Sequence, residues 1–131
     1  MTRPDFHPWR RLLLALVFLP ACALAQTQGA EFQPEVGQAG KDVIWVPTPE
    51  QVVERMLQMA QVGPTDFVVD LGSGDGRTVI AAAKDFHANS LGVEFNPDMV
   101  VLSRRNAEQA GVTNRAKFIE GDIVQPVFRK A

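Results

Sequence analysis

The sequence holds one cysteine, two histidines and no basic run. A lone Cys22 excludes an internal disulfide and a cysteine-based metal site. His7 and His87 lack a ligand-like spacing, so no metal is expected, and His87 reads as a surface imidazole at a helix end. The formal net charge is −2, which does not support sequence-independent nucleic-acid binding, and no nucleic-acid partner is expected. Long apolar runs are missing as well, since residues 12–19 fall short of the ~20 needed to cross a bilayer. What is present suits one packed domain: 131 residues, 46% hydrophobic and 21% charged.

Residues 1–25 read as an export signal. Arg3, Arg10 and Arg11 give a positive start, Pro20 ends the apolar run, and Ala23-Leu24-Ala25 offers small residues to a signal peptidase. Cleavage leaves Gln26 as the N-terminus of an exported, periplasmic protein with no stable membrane span. Three alternatives stand beside this. Leu19-Pro20-Ala21-Cys22 resembles a lipoprotein box, which implies a lipid anchor through Cys22. Arg10-Arg11 faintly resembles a twin-arginine signal, and the Arg-containing, acid-poor start also fits a mitochondrial presequence.

Residues 26–41 are rich in Gln, Gly, Ala and Glu without a period, and read as a flexible linker. Residues 42–47 look extended and lead into a helix. There Thr48 is expected to N-cap, Pro49 to take the first position and Gln51 to complete a capping box. Val52, Val53, Met56, Leu57 and Ala60 recur at helical spacing as one apolar face, and Gly63-Pro64 is the expected stop.

A strand is expected over 67–71, with Asp70 near its end, followed by Gly72, Gly74 and Gly76 and a helix over 78–86. The pattern repeats with a strand over 90–94 and a helix over 97–110, capped by Asn96 and closed by Gly111. In that helix Val100, Val101 and Ala107 are expected inward, Arg104 and Arg105 outward. A third strand, 116–120, runs into Gly121-Asp122-Ile123. Alternating strands and helices with tight connections imply an α/β fold, with right-handed crossovers and a parallel sheet. Ligands of such sheets sit at the carboxyl edge, where these loops gather.

The glycine spacing discriminates between ligands. A dinucleotide fingerprint, G-x-G-x-x-G, needs glycine at position 77, which is Arg77. Phosphates also prefer positive charge at such a turn, whereas Asp70 and Asp75 suit a cationic ligand.

Asp70-Leu71-Gly72-Ser73-Gly74-Asp75-Gly76 resembles motif I of the class I, seven-β-strand S-adenosylmethionine-dependent methyltransferases, which also place an acid after strand 2 (Glu94) and a polar residue after strand 3 (Asp122). That resemblance implies a Rossmann-like parallel sheet with flanking helices. Residues 42–131 supply strands 1–3 of the expected seven, the N-terminal cofactor-binding part, so a truncated or partial chain is expected. The implied cofactor is S-adenosylmethionine, a sulfonium without phosphate. Asp70 would orient its methionine end, and Gly72, Ser73, Gly74 and Gly76 would form the approaching loop. Glu94 would accept both ribose hydroxyls with Asn96 beside it, Asp122 would accept from the adenine amino group, and Ile123 would lie near the ring. Helix capping for Asp70, and exposed loop acids for Glu94 and Asp122, stay open as alternatives.

The runs VPTPEQVVERML, LGSGDGR and LGVEFNPDMVVLSRRNAEQAG further resemble a bacterial and mitochondrial group whose mitochondrial members are protein-lysine methyltransferases. In that group the V-P-T-P stretch helps close the cofactor pocket, which makes Thr48 a cofactor contact by resemblance. The implied function is methyl transfer from S-adenosylmethionine, with a protein lysine as acceptor. The alternative is a non-catalytic or truncated remnant that binds the cofactor. No residue is assigned as catalytic.

Overall fold

A computed structural model describes residues 31–124; the expected export signal, Cys22 and residues 26–30 of the expected linker lie outside the described residues. Three strands, β1 (Phe67–Leu71), β2 (Asn89–Glu94) and β3 (Ala116–Glu120), pair in parallel in the order β1-β2-β3. Helix α1 (Glu50–Met59) precedes them, α2 (Arg77–Asp85) joins β1 to β2, and α3 (Pro97–Gln109) joins β2 to β3. Leu71 stands opposite Val93, and Glu94 opposite Glu120, so all three strands end at one edge. The loops that follow them are therefore neighbours.

Both crossovers step the same way across the sheet, which places α2 and α3 on one face. Val79 and Ala83 of α2, Val100 and Ala107 of α3, and Ala116 and Phe118 of β3 form one buried cluster there. A second cluster joins Val53 and Leu57 of α1 to Ala82 and Ala88, with Val68 packed against it. Larger side chains buried this way contribute roughly 1.5–3 kcal/mol each on leaving water. The Ser90 hydroxyl donates to the Val79 carbonyl oxygen at 2.8 Å, so a buried polar group also ties α2 to β2. Gly92 is needed for close approach: a Cβ there would lie 2.6 Å from both the Phe118 ring and the Ser73 hydroxyl.

The opposite face of the sheet is different. Alternate β1 residues Phe67, Val69 and Leu71 are 64%, 42% and 50% exposed, and Ile119 of β3 is also exposed. No described element covers them. As β1 is also an edge strand, it leaves one row of backbone groups unpaired by the sheet.

Several local expectations are corrected. Thr48 does not cap α1: Pro49 holds the cap position without a side-chain bond, and the Thr48 carbonyl accepts from Arg77 Nη1 at 2.7 Å. The helix ends at Met59, where Gln61 takes the left-handed turn (φ 54°) before Gly63-Pro64 is reached. Only Val53 and Leu57 of its apolar face are buried, while Val52, Met56 and Ala60 stay exposed, because α1 packs on α2 and not on the strands. Helix α2 starts at Arg77, one residue early. In α3, Val101 is 59% exposed and Leu102 is buried in its place. Neither arginine simply faces solvent: Arg104 donates to the Phe118 carbonyl and Arg105 pairs with Glu31.

Candidate functional site at the carboxyl edge

The loop after β1 turns over the end of β2. Gly72 and Ser73 N–H groups both donate to the Val93 carbonyl, at 2.7 and 3.1 Å. Gly72, Gly74 and Gly76 take φ of 84°, 55° and 84°, a left-handed region in which a Cβ is strained, so alternating glycines let the chain turn this sharply. Two side chains clamp the loop from behind. Arg77 holds the Asp75 carboxylate at 2.6 Å while reaching Thr48, and Asn106 of α3 donates to the Asp75 carbonyl at 2.9 Å. Asp75 is thus neutralised inside the fold and contributes no free charge to a ligand.

Glu94 joins all three loops. Its Oε2 accepts from Gly74 N–H and its Oε1 from Asn96 N–H, each at 2.9 Å, and its backbone carbonyl accepts from Gly121 N–H at 2.9 Å. A carboxylate oxygen has a second lone pair, so both oxygens can still accept from a ligand while the backbone fixes their direction. Asn96 spends its side chain on capping α3, where its Oδ1 accepts from Asp98 N–H at 2.9 Å.

Asp70 lies at the end of β1. Burial pushes its carboxyl above the usual carboxylate range, Thr78 opposes that by hydrogen bonding, and the Glu94 charge adds to it. Asp122 goes the other way. Its Oδ2 meets Lys41 Nζ at 2.5 Å and its Oδ1 accepts from Val124 N–H at 3.0 Å; these bonds, Lys41's first, hold the carboxyl below its ordinary value.

Between these loops and the segment before α1 lies a cavity of about 400 Å³, within the range of small-molecule sites. Gly72, Glu94, Phe95, Asn96, Asp122 and Ile123 line its sheet side, and residues 38–46 line the other. That second wall is a hairpin where a flexible linker was expected. Gly37 N–H donates to the Trp45 carbonyl, Trp45 N–H to the Gln38 carbonyl, and Gly40 N–H to the Val43 carbonyl, at 2.8–3.0 Å. The Trp45 indole lies over the glycine loop, so a Cβ at Gly74 would fall 2.7 Å from its nitrogen.

Of the residues singled out in the sequence, Gly72, Glu94, Asn96, Asp122 and Ile123 meet at this cavity, and Gly74 sits at its margin beneath Trp45. Ser73 does not: it is 5% exposed, packed against Gly92, and its hydroxyl has no hydrogen-bond partner among the described residues. Gly76 caps α2 with a backbone packed on Phe118 and Ser103, and Asp70 and Thr48 do not line the cavity. Lys41, Trp45, Phe95 and Arg77 were not foreseen. The signal for the first wall was three ordered strand ends; for the second it was only an aromatic residue inside Val43-Ile44-Trp45-Val46.

The donor set fits an adenosyl ligand: two fixed carboxylates with spare lone pairs, an open glycine turn and no uncompensated positive charge aimed at a phosphate. Comparison with known proteins points the same way. A family model described as the ANTKMT methyltransferase domain matches residues 70–131. A protein-lysine N-methyltransferase of Saccharolobus islandicus is 48% identical over 84 residues, covering 63% of this chain and 52% of that protein. An ATP synthase lysine N-methyltransferase of Mus musculus is 43% identical over 86 residues, covering 64% and 33%. A crystal structure of an RNA methyltransferase from Salinibacter ruber, in complex with S-adenosyl-L-homocysteine, is 50% identical with a TM-score of 0.60, covering 61% of this chain and 52% of that one. The chain therefore spans between a third and about half of the relatives it matches. With strands in the order β1-β2-β3, the motif I loop after β1 and Glu94 after β2, the chain belongs to the class I S-adenosylmethionine-dependent methyltransferases, carrying the part of that fold built on its first three strands.

Proposed function

We propose that the cavity at the carboxyl edge binds S-adenosylmethionine, and that the protein to which this fold belongs transfers its methyl group to a protein lysine. The observation that carries the reading is the Glu94 carboxylate, fixed by Gly74 and Asn96 N–H groups so that its remaining lone pairs face the cavity. Those lone pairs suit a vicinal diol such as ribose. Asp122 supplies an acceptor at the far side, beside the Ile123 side chain, which suits the amino edge and face of a base. Buried Asp70, with Glu94 nearby, gives the sheet end a negative field that suits a sulfonium. When bound, the cofactor supplies an electrophilic methyl group. The chain's contribution is to hold and orient its donor under a partly closed hairpin, since positioning dominates such displacements. A lysine acceptor must be uncharged to attack, and a desolvated site lowers its pKa.

The lysine assignment rests on the names of the relatives from Saccharolobus and mouse. The Salinibacter protein is called an RNA methyltransferase, so RNA is the second reading. Net charge −2 and the lack of a basic run support protein over RNA. A filter assay with methyl-labelled cofactor, offered a mixed protein extract or total RNA, tests this. Label in lysine supports the reading, and label in RNA alone overturns it. Cofactor binding without any transfer would support a non-catalytic remnant instead.

We also propose export, from the pattern of residues 1–25 alone. A mature N-terminus at Gln26 in a periplasmic fraction supports it, and a cytoplasmic protein that retains Met1 rejects it.

A further inference from the structure

Four acceptor positions face or border the cavity on Glu94 and Asp122, and each already has a donor from the protein. Three of those donors are backbone N–H groups of Gly74, Asn96 and Val124, which belong to the loops themselves. The fourth is different. Lys41 Nζ reaches Asp122 Oδ2 from 81 residues away in sequence, on the hairpin of the opposite wall. The same ammonium lies 5.2 Å from the centroid of the exposed Phe95 ring, so one side chain covers both the acid and the aromatic surface at that end of the cavity.

The hairpin makes this contact more than local. Its backbone bonds join Gln38 to Trp45 and Gly40 to Val43, on either side of Lys41. Trp45 then rests on the glycine loop at the other end of the site. Lys41 and Trp45 are thus two feet of one short strap that spans the loops after β1 and β3. The remaining ties are weak, a Gln38 amide to the Met99 sulfur and an ion pair between Glu31 and Arg105.

We propose that Lys41 is an internal competitor for the ligand: in the free protein it occupies Asp122 and the Phe95 face, and it must withdraw with the hairpin before an adenosyl ligand seats. This rests on the cofactor reading above. The latch sets the fraction of molecules open to ligand, and removing it raises that fraction. A partly exposed ion pair is modest in strength and weakens with salt.

Trp9 and Trp45 are the only tryptophans, so Trp9→Phe in the full chain leaves Trp45 as a reporter of the strap. Acrylamide quenching of the ligand-free protein and stopped-flow association of S-adenosylhomocysteine are then compared with and without Lys41→Met. The expected result is stronger quenching and association faster by about fivefold in the variant, with loss of the salt-accelerated association seen in the parent. Lys41→Arg, which keeps the pair, should behave as the parent. Unchanged quenching in Lys41→Met overturns the latch, and so does slower or weaker binding, which would make Lys41 a ligand contact. A folded parent and variant that both ignore S-adenosylhomocysteine overturn the cofactor reading and the competitor role together. In that case, changed quenching still separates a strap held by Lys41 from no strap at all.

Discussion

The sheet-side wall of the cavity is held by backbone hydrogen bonds that knot three loops together, whereas the opposite wall is a hairpin held down chiefly by Lys41 and Trp45. The first wall is continuous with the core: Gly76 packs on Phe118, Gly92 packs on Phe118 and Ser73, and Asn106 reaches from α3 to the loop. The second touches the core only at its edges. Ligand identity therefore belongs to the wall that cannot move without unfolding, and access belongs to the wall that can.

The largest effect should come from forcing the sheet wall apart. Gly92→Val drives a side chain into Phe118 and Ser73, and should cost about 3 kcal/mol, read as a lowered thermal midpoint. A midpoint equal to the parent's would show that this wall is not tied to the core. Next, Glu94→Ala should leave the chain folded but weaken S-adenosylhomocysteine by ~100-fold, because two charge-assisted hydrogen bonds are lost. Equilibrium dialysis would detect this, and parental affinity in the variant would remove Glu94 from the site. On the hairpin side, Trp45→Ala should weaken binding by only about tenfold, through lost apolar cover. Its thermal midpoint should stay close to the parent's; a drop as large as that of Gly92→Val would erase the distinction between the walls.

The smallest effect concerns Asp70, where stability and binding pull in opposite directions. Its folded-state carboxyl titrates above the ordinary aspartate value, chiefly because of burial. Its contribution to stability is therefore full below that ordinary value and is lost as pH rises through the folded-state pKa. Asp70→Asn should match the parent at low pH and exceed it slightly near neutrality, by urea midpoint. A parent more stable than the variant at neutral pH would show that the charged form is favoured instead.

How much of this was legible in the sequence divides along the same line. The strand of residues 116–120, the Asn96 cap and the ordered acids at strand ends all stood in local patterns, because alternation, capping and glycine turns are short-range physics. The hairpin was not legible, since its bonds join a Gly- and Gln-rich stretch to a distant Asp122 and to Gly74. Thr48 failed as a cap for a related reason: Arg77, 29 residues on, uses its carbonyl to fasten the glycine loop. Asp75 reads as a free acid in the sequence, whereas in the fold that same arginine neutralises it. In α3 the apolar residue Val101 faces out because the helix presents Met99, Val100, Leu102, Ser103 and Ala107 to the rest of the fold, a choice that composition alone does not make.

The central claim is that an adenosyl ligand, and not a dinucleotide, fills the cavity above Gly72 and Glu94. Titration calorimetry of the full chain with S-adenosylhomocysteine, with NADH in a parallel cell and circular dichroism to confirm folding, tests it most directly. The account predicts saturable heat with S-adenosylhomocysteine and none with NADH. A folded chain that binds neither, or that binds NADH as well, would contradict it.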